Sequence, residues 1–167
     1  MQEIRTPNTR ESILDTAEAL FAQQGHDGTS MRQITGAAGV NLASVNYHFG
    51  SKESLVQAVL KRRLEVLNRE RLRLLDELES QSGGKPLKPS LIVDAFFGTL
   101  LRLAADPAQA GSTFLPLLER TMTDPSDFIR ALFAEEYADV LERYRNALFA
   151  ALPDVPKAEI VWRFQFM

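Results

Sequence analysis

The sequence predicts an all-α fold: three short helices, a long connecting helix and a larger helical body. Three observations predict it. Apolar residues recur at spacings of three and four along most of the chain, beginning with Ile13, Leu14, Ala17, Leu20 and Phe21. Helix-capping residues punctuate that pattern where it should start and stop. No alternating strand pattern, hairpin turn or internal repeat competes with it.

The elements follow in order. Thr9 is the expected N-cap of the first helix and Gly25 its C-terminal stop. After the loop "HDGT", Ser30 and Gln33 form a Ser-x-x-Gln capping box, opening a second helix with Met31 and Ile34 inward. Gly39 ends it, because only glycine enters the left-handed region without strain. Asn41 caps a third helix over Leu42–His48, and Ser51 caps a fourth with Glu53 in its first turn. The fourth is long, with Leu60, Leu64, Leu67, Leu75 and Leu78 on one side, and ends near "SQSGGKPLKP". That Ser/Gly/Pro-rich stretch reads as a linker. Helical segments follow near 90–105, 113–123 and 126–152, marked off by Pro107, Asp124, Pro125 and Pro153, and a last one starts near Pro156. The third of these carries a long apolar face: Phe128, Leu132, Phe133, Val140, Leu141, Tyr144, Leu148 and Leu152.

Composition narrows the function. The 167 residues include no cysteine, which removes disulfides and thiol chemistry and suits a cytoplasmic protein. The N-terminus lacks the apolar core of a signal peptide, and no apolar run is long enough to span a membrane. The only histidines, His26 and His48, stand in no metal-ligand spacing, and neither a phosphate loop nor a nucleophile elbow occurs. An enzyme, a metal and a cofactor are therefore not expected. Net charge is −3, so the chain is not a generic nucleic-acid coat. Residues 1–64 hold seven Lys/Arg against six Asp/Glu, the rest twelve against sixteen. DNA binding would need a few placed contacts, and two copies of the chain.

Two short helices joined by a glycine turn make a helix-turn-helix, whose second helix enters the major groove. Val40 and Val45 can lock the pair together. Asn41, Leu42, Ala43, Ser44 and Asn46 leave a small, mixed outer surface that lets the backbone approach base edges. Tyr47, His48 and Lys52 can reach phosphates. A helical adaptor without DNA binding is the rival; it explains the helices but not this capped, small-faced third one.

Over residues 9–60 the chain resembles the TetR family of bacterial transcriptional regulators. The resemblance rests on "TRESILDTAEALFAQQG" and "GTSMRQITGAAGVNLASVNYHFGSKESL". It implies base-facing roles for Arg32, Leu42, Ala43, Ser44 and Asn46, and phosphate contacts from Ser30, Tyr47, His48 and Lys52. Phe49 would be the aromatic behind the reading helix. Thr35, Gly36, Asn46 and Gly50 depart from the family's usual residues, which leaves the operator sequence open. The implied domains are residues 1–51 (helix-turn-helix), 52–84 (long helix and linker) and 85–167 (effector binding and dimerisation). Implied partners are a palindromic double-stranded DNA operator, a second copy of the chain and a small effector.

Eight of the ten phenylalanines lie from Phe96 onward. Phe96, Phe97, Leu100, Leu101, Phe114, Leu118, Met122, Phe133 and Tyr137 are the expected ligand-binding set, though filled core is the plainer reading of any one of them. The stretch "GVNLASVNYHFGSK", together with "FLPLLERTMTDPSDFIRALFAEEY", is similar to the fatty-acid-responsive branch, implying a fatty acid or acyl-CoA-like effector. Arg102, Arg120 and Arg130 could meet its acidic end. The alternative is a drug-like aromatic or cationic effector. Lys61, Arg62 and Arg63 read as a solvated face, as do Glu135 and Glu136. "AEIVWRFQFM" starts an apolar helix without a stop signal, so the native chain is expected to continue.

Overall fold

The computed structural model describes residues 8–106, 111–123 and 126–165. Pro107, Asp124, Pro125 and Phe166 lie outside the described residues. No strand occurs among the described residues. The helices are α1 (Thr9–Gln24), α2 (Met31–Ala38), α3 (Leu42–Phe49), α4 (Lys52–Gln81), α5 (Pro89–Val93), a π-helical turn (Asp94–Gly98), α6 (Thr99–Ala105), α7 (Gly111–Met122), α8 (Asp127–Ala151) and α9 (Lys157–Gln165). No described helix is long and apolar enough to cross a membrane.

Local chemistry sets the ends. Asn8, not Thr9, caps α1: its side chain accepts from the Arg10 N–H at 3.3 Å, and Thr9 is already helical. Asparagine is among the strongest N-caps, so it displaces its neighbour from the role. The capping box of α2 is complete, with Gln33 N–H donating to Ser30 Oγ and Ser30 N–H to Gln33 Oε1. Gly39 is left-handed at φ 67°. Ser51 Oγ accepts from Ser54 N–H at the head of α4.

The chain forms two compact units: residues 1–63 with 107–132, and residues 64–106 with 133–167. They cut the chain differently from the boundaries expected at 51 and 84, because α7 packs on α1. In the first unit, Ile13, Leu14, Ala17, Phe21, Ile34, Val45, Leu55, Val59 and Leu117 are buried. Among them sits a carboxylate, Glu18, only 2% exposed. It accepts from Arg62 at 2.8 Å, Arg63 at 2.6 Å and Thr113 Oγ1 at 2.7 Å. Arg62 and Arg63 are therefore not a solvated face; Lys61 alone of the three is exposed. Burial pushes the Glu18 carboxyl up, but the bonds from Arg63, Thr113 and Arg62 outweigh it and hold it below the usual carboxylate range. From α7, the Arg120 guanidinium donates to Ala22 O and Gln23 O, completing the carbonyl end of α1.

In the second unit, Leu75, Ile92, Phe96, Val140, Tyr144, Leu148, Ile160 and Phe164 form one core cluster. Tyr144 donates to Arg71 O at 2.7 Å, and burial pushes its phenol up. Asn68 Nδ2 donates to Glu136 O, so Glu136 is half-buried while Glu135 is exposed.

Two substitutions probe the first unit. Glu18→Gln removes the charge that Arg62 and Arg63 share and should cost about 3 kcal/mol in a denaturant titration. With the folded carboxyl depressed, Glu18's contribution is complete above the ordinary carboxylate range and is lost as pH falls through the lowered value. Wild type should therefore lose stability in acid more steeply than Glu18→Gln. Gly36 is mid-helix, exposed, and a Cβ there meets nothing within 4 Å. Gly36→Ala should stabilise by about 0.5–1 kcal/mol, raising Tm by roughly 1–4 °C.

Candidate nucleic-acid interface

Helix α3 is short, so its pose depends on its ends and one anchor. Asn41 Oδ1 accepts from Ser44 N–H at 2.8 Å and from Ser44 Oγ at 3.0 Å. Gly50 closes the other end, its N–H donating to Asn46 O at 2.9 Å. Helical geometry puts Val45 inward, and it is fully buried. The helix runs one residue past the expected His48, to Phe49. Phe49 is half-buried rather than core, with the Arg10 guanidinium 5.4 Å from its ring centroid.

The outward face is the unusual one. Leu42, Ala43, Asn46 and Tyr47 share it, four residues apart in pairs, and all are exposed. Leu42 is 51% exposed and Tyr47 86%. Both of these large side chains therefore stand in water on a capped helix. His48 is half-buried and meets Tyr47 edge-on, ring centroids 5.2 Å apart. Lys52 is half-buried at the start of α4 and Arg32 is exposed on α2. Ser30 is exposed, but its hydroxyl is engaged in the capping box. Ser44 likewise spends its proton on Asn41, leaving its oxygen to accept. No Asp or Glu occurs between Asp27 and Glu53, whereas Arg32 and Lys52 both do. A chain of net charge −3 thus keeps residues 28–52, which carry this face, free of acids. Arg10, in the first turn of α1, is a further nearby cation that the motif reading passed over.

The ligand candidates do not come together as one group. Phe114, Leu118 and Met122 belong to the first unit and the other six to the second. Phe114 and Leu118 are buried, whereas Met122 is 74% exposed. In the second unit Phe96 is buried, with ring centroids 5.0 Å from Phe97, 5.0 Å from Tyr144 and 4.8 Å from Phe164. Phe133 and Tyr137 are half-buried and stacked at 5.8 Å. Leu100 is half-buried and Leu101 is 65% exposed. The cations named for an acidic end are engaged elsewhere: Arg102 with Asp94, Arg120 with the end of α1, Arg130 with Asp127. The buried cation of this unit is Arg71, which periodicity did not single out; the signal available was a charge inside the apolar stripe of α4. A separate cleft of about 370 Å³ is lined by Pro89, Val93, Leu148, Leu152, Ile160 and Phe164, among others. No group of three metal-ligating side chains occurs among the described residues.

Capping is what makes α3 presentable. Asn41→Ala should cost about 1 kcal/mol and fray the helix, read as a lower Tm and faster amide exchange at Val45.

Comparison with known proteins places this arrangement. Residues 13–59 match the family model for bacterial regulatory proteins of the tetR family, and residues 94–167 match that for a tetracyclin repressor-like C-terminal domain. The HTH-type transcriptional repressor KstR2 of Rhodococcus jostii is 43% identical over 58 residues, 35% of this chain and 28% of that protein. The negative transcriptional regulator IcaR of the Staphylococcus aureus biofilm operon is 36% identical over 59 residues, 35% of this chain and 32% of that one. The matched stretch thus spans about a third of these relatives' length. The ketosteroid transcriptional regulator KstR2 of Mycobacterium tuberculosis shares the fold, with a TM-score of 0.62 at 19% identity over 96% of this chain and 79% of that one. With a family model matched at each end and that fold over nearly its whole length, the chain belongs to the TetR family of transcriptional regulators.

Proposed function

We propose that this protein is a sequence-specific DNA-binding transcriptional repressor that acts as a homodimer in the cytoplasm and leaves its operator when a small apolar effector binds. The observation that carries it is the outward face of α3: capped, anchored by Val45, acid-free and exposing Leu42 and Tyr47. Residues 1–51 serve as the reading head, 52–84 as the connection, and 85–167 as the effector-binding and dimerising body. Two reading heads on a palindrome double the few cations that one copy offers. That the relatives matched over this region are named repressors and negative regulators supports the sign of the effect.

Arg32, Leu42, Ala43, Ser44 and Asn46 read bases; Ser30, Tyr47, His48 and Lys52 hold phosphates. The Ser44 hydroxyl acts as an acceptor, because its proton is committed to Asn41. Tyr47 suits a backbone contact: it projects fully from the helix and brings a hydroxyl to the flank of the groove. The effector contacts Phe96, Phe97, Leu100, Leu101, Phe133 and Tyr137 of the second unit. Its binding must favour a conformation in which the paired heads no longer match the groove spacing, since equal affinity for both states would shift nothing. A cationic effector is disfavoured by the buried positive charge of Arg71.

The test is a pair of substitutions on a duplex selected from a random library. Lys52→Ala should weaken every site alike and make the slope of log K against log salt shallower by about one for each phosphate no longer neutralised. Asn46→Ala should cost about 1–3 kcal/mol on the preferred site and relax preference at one base pair. A Lys52→Ala protein with altered sequence preference would contradict the division of roles.

A further inference from the structure

Helix α4 buries Leu64, Leu67 and Leu75 along one stripe, and Arg71 occupies the same stripe at only 3% exposure. A guanidinium there is costly unless a counter-charge accompanies it. Many of the chain's other arginines pair with carboxylates, among them Arg62, Arg63, Arg73, Arg102, Arg130, Arg143 and Arg163, and Arg120, which bonds to carbonyls instead, is exposed. Arg71 has no carboxylate partner among the described residues. Its hydrogen-bond partners are neutral: Nε donates to Phe96 O at 2.9 Å and Nη1 to Asn68 Oδ1 at 3.3 Å. The cation lies 3.9 Å from the Phe96 ring centroid and 5.4 Å from that of Tyr137. Two neutral acceptors and two aromatic rings do not cancel the charge.

The surroundings suit a ligand. Phe96 belongs to the π-helical turn, a distortion that recurs at functional sites. Tyr137 is half-buried and stacked on Phe133, so one wall of the Arg71 site is not closed core. On the other side, the ring of Phe164 touches Phe96 and lines the cleft of about 370 Å³, a size within the range of small-molecule sites.

We propose that Arg71 is the counter-ion for the effector's acidic end, with Asn68 and Tyr137 beside it and the hydrocarbon against the aromatic cluster. This rests on the effector reading above and narrows it. One buried cation matches one negative charge, so the effector is a monoanion, a free carboxylic acid with an apolar body. A multiply charged acyl-CoA headgroup does not belong there.

The test compares dodecanoate with dodecanol and dodecylamine, and naphthalene-2-carboxylate with its neutral amide, by thermal shift and calorimetry on the intact protein. At least one acid should bind wild type roughly tenfold or more tightly than its neutral counterpart, the margin expected of a charge-assisted bond. Arg71→Met should abolish that preference while keeping the neutral ligand's affinity, and Arg71→Lys should retain part of it. Equal binding of acid and neutral partner to wild type, no binding by any acid, or an acid preference intact in Arg71→Met would each overturn the proposal. The wild-type comparison stands even if Arg71→Met fails to fold. Because the ligand assay contains no DNA, a failure of duplex binding by wild type would count against the repressor reading and not against the anion site.

Discussion

Within the first unit, the position of everything that could touch DNA depends on one buried carboxylate. Glu18 is nearly inaccessible and takes hydrogen bonds from Arg62 and Arg63 of α4 and from Thr113 of α7. These partners are 44, 45 and 95 residues away in sequence. A charge buried in that way is stable only while all its partners stay in place, which gives the network strong geometric demands. Arg120 grips the same helix at its carbonyl end. Helices α2 and α3 pack on α1, so the helix that presents the contact face rests on a support fixed by polar bonds at two points.

The chain uses cations in three distinct ways, and burial with partner chemistry separates them. Arg62 and Arg63 are structural: half-buried, each on the shared carboxylate. Arg32 and Lys52 lie within the acid-free stretch and pair with no carboxylate among the described residues. Arg71 is enclosed with only neutral acceptors. Net charge alone, at −3, would have hidden all three uses.

Much of the reading head was legible in sequence because its determinants are local. The Ser30–Gln33 box, the Asn41 cap, the Ser51 cap and left-handed Gly39 each depend on residues a few positions apart. The Thr9 cap failed by one residue because Asn8 is the better acceptor. Misreadings grew where the determinant was distant. Periodicity places Arg62 and Arg63 on a helix but cannot see Glu18, and it cannot assign Phe114 and Leu118 to α1 rather than to a body cavity. Arg71 was passed over because a charge interrupting an apolar stripe is ordinarily solvent-facing; only its burial in the fold changes its meaning.

A helix α3 that reads base edges from two symmetry-related copies should leave its mark on the DNA. Hydroxyl-radical footprinting of the wild-type protein on a library-selected duplex tests it most directly. Two protected patches are expected, symmetric about a palindrome and about one helical turn or more apart, each centred on a half-site that the selection enriched. Uniform weak protection without an enriched palindrome, vanishing with modest salt as non-specific binding does, would contradict it.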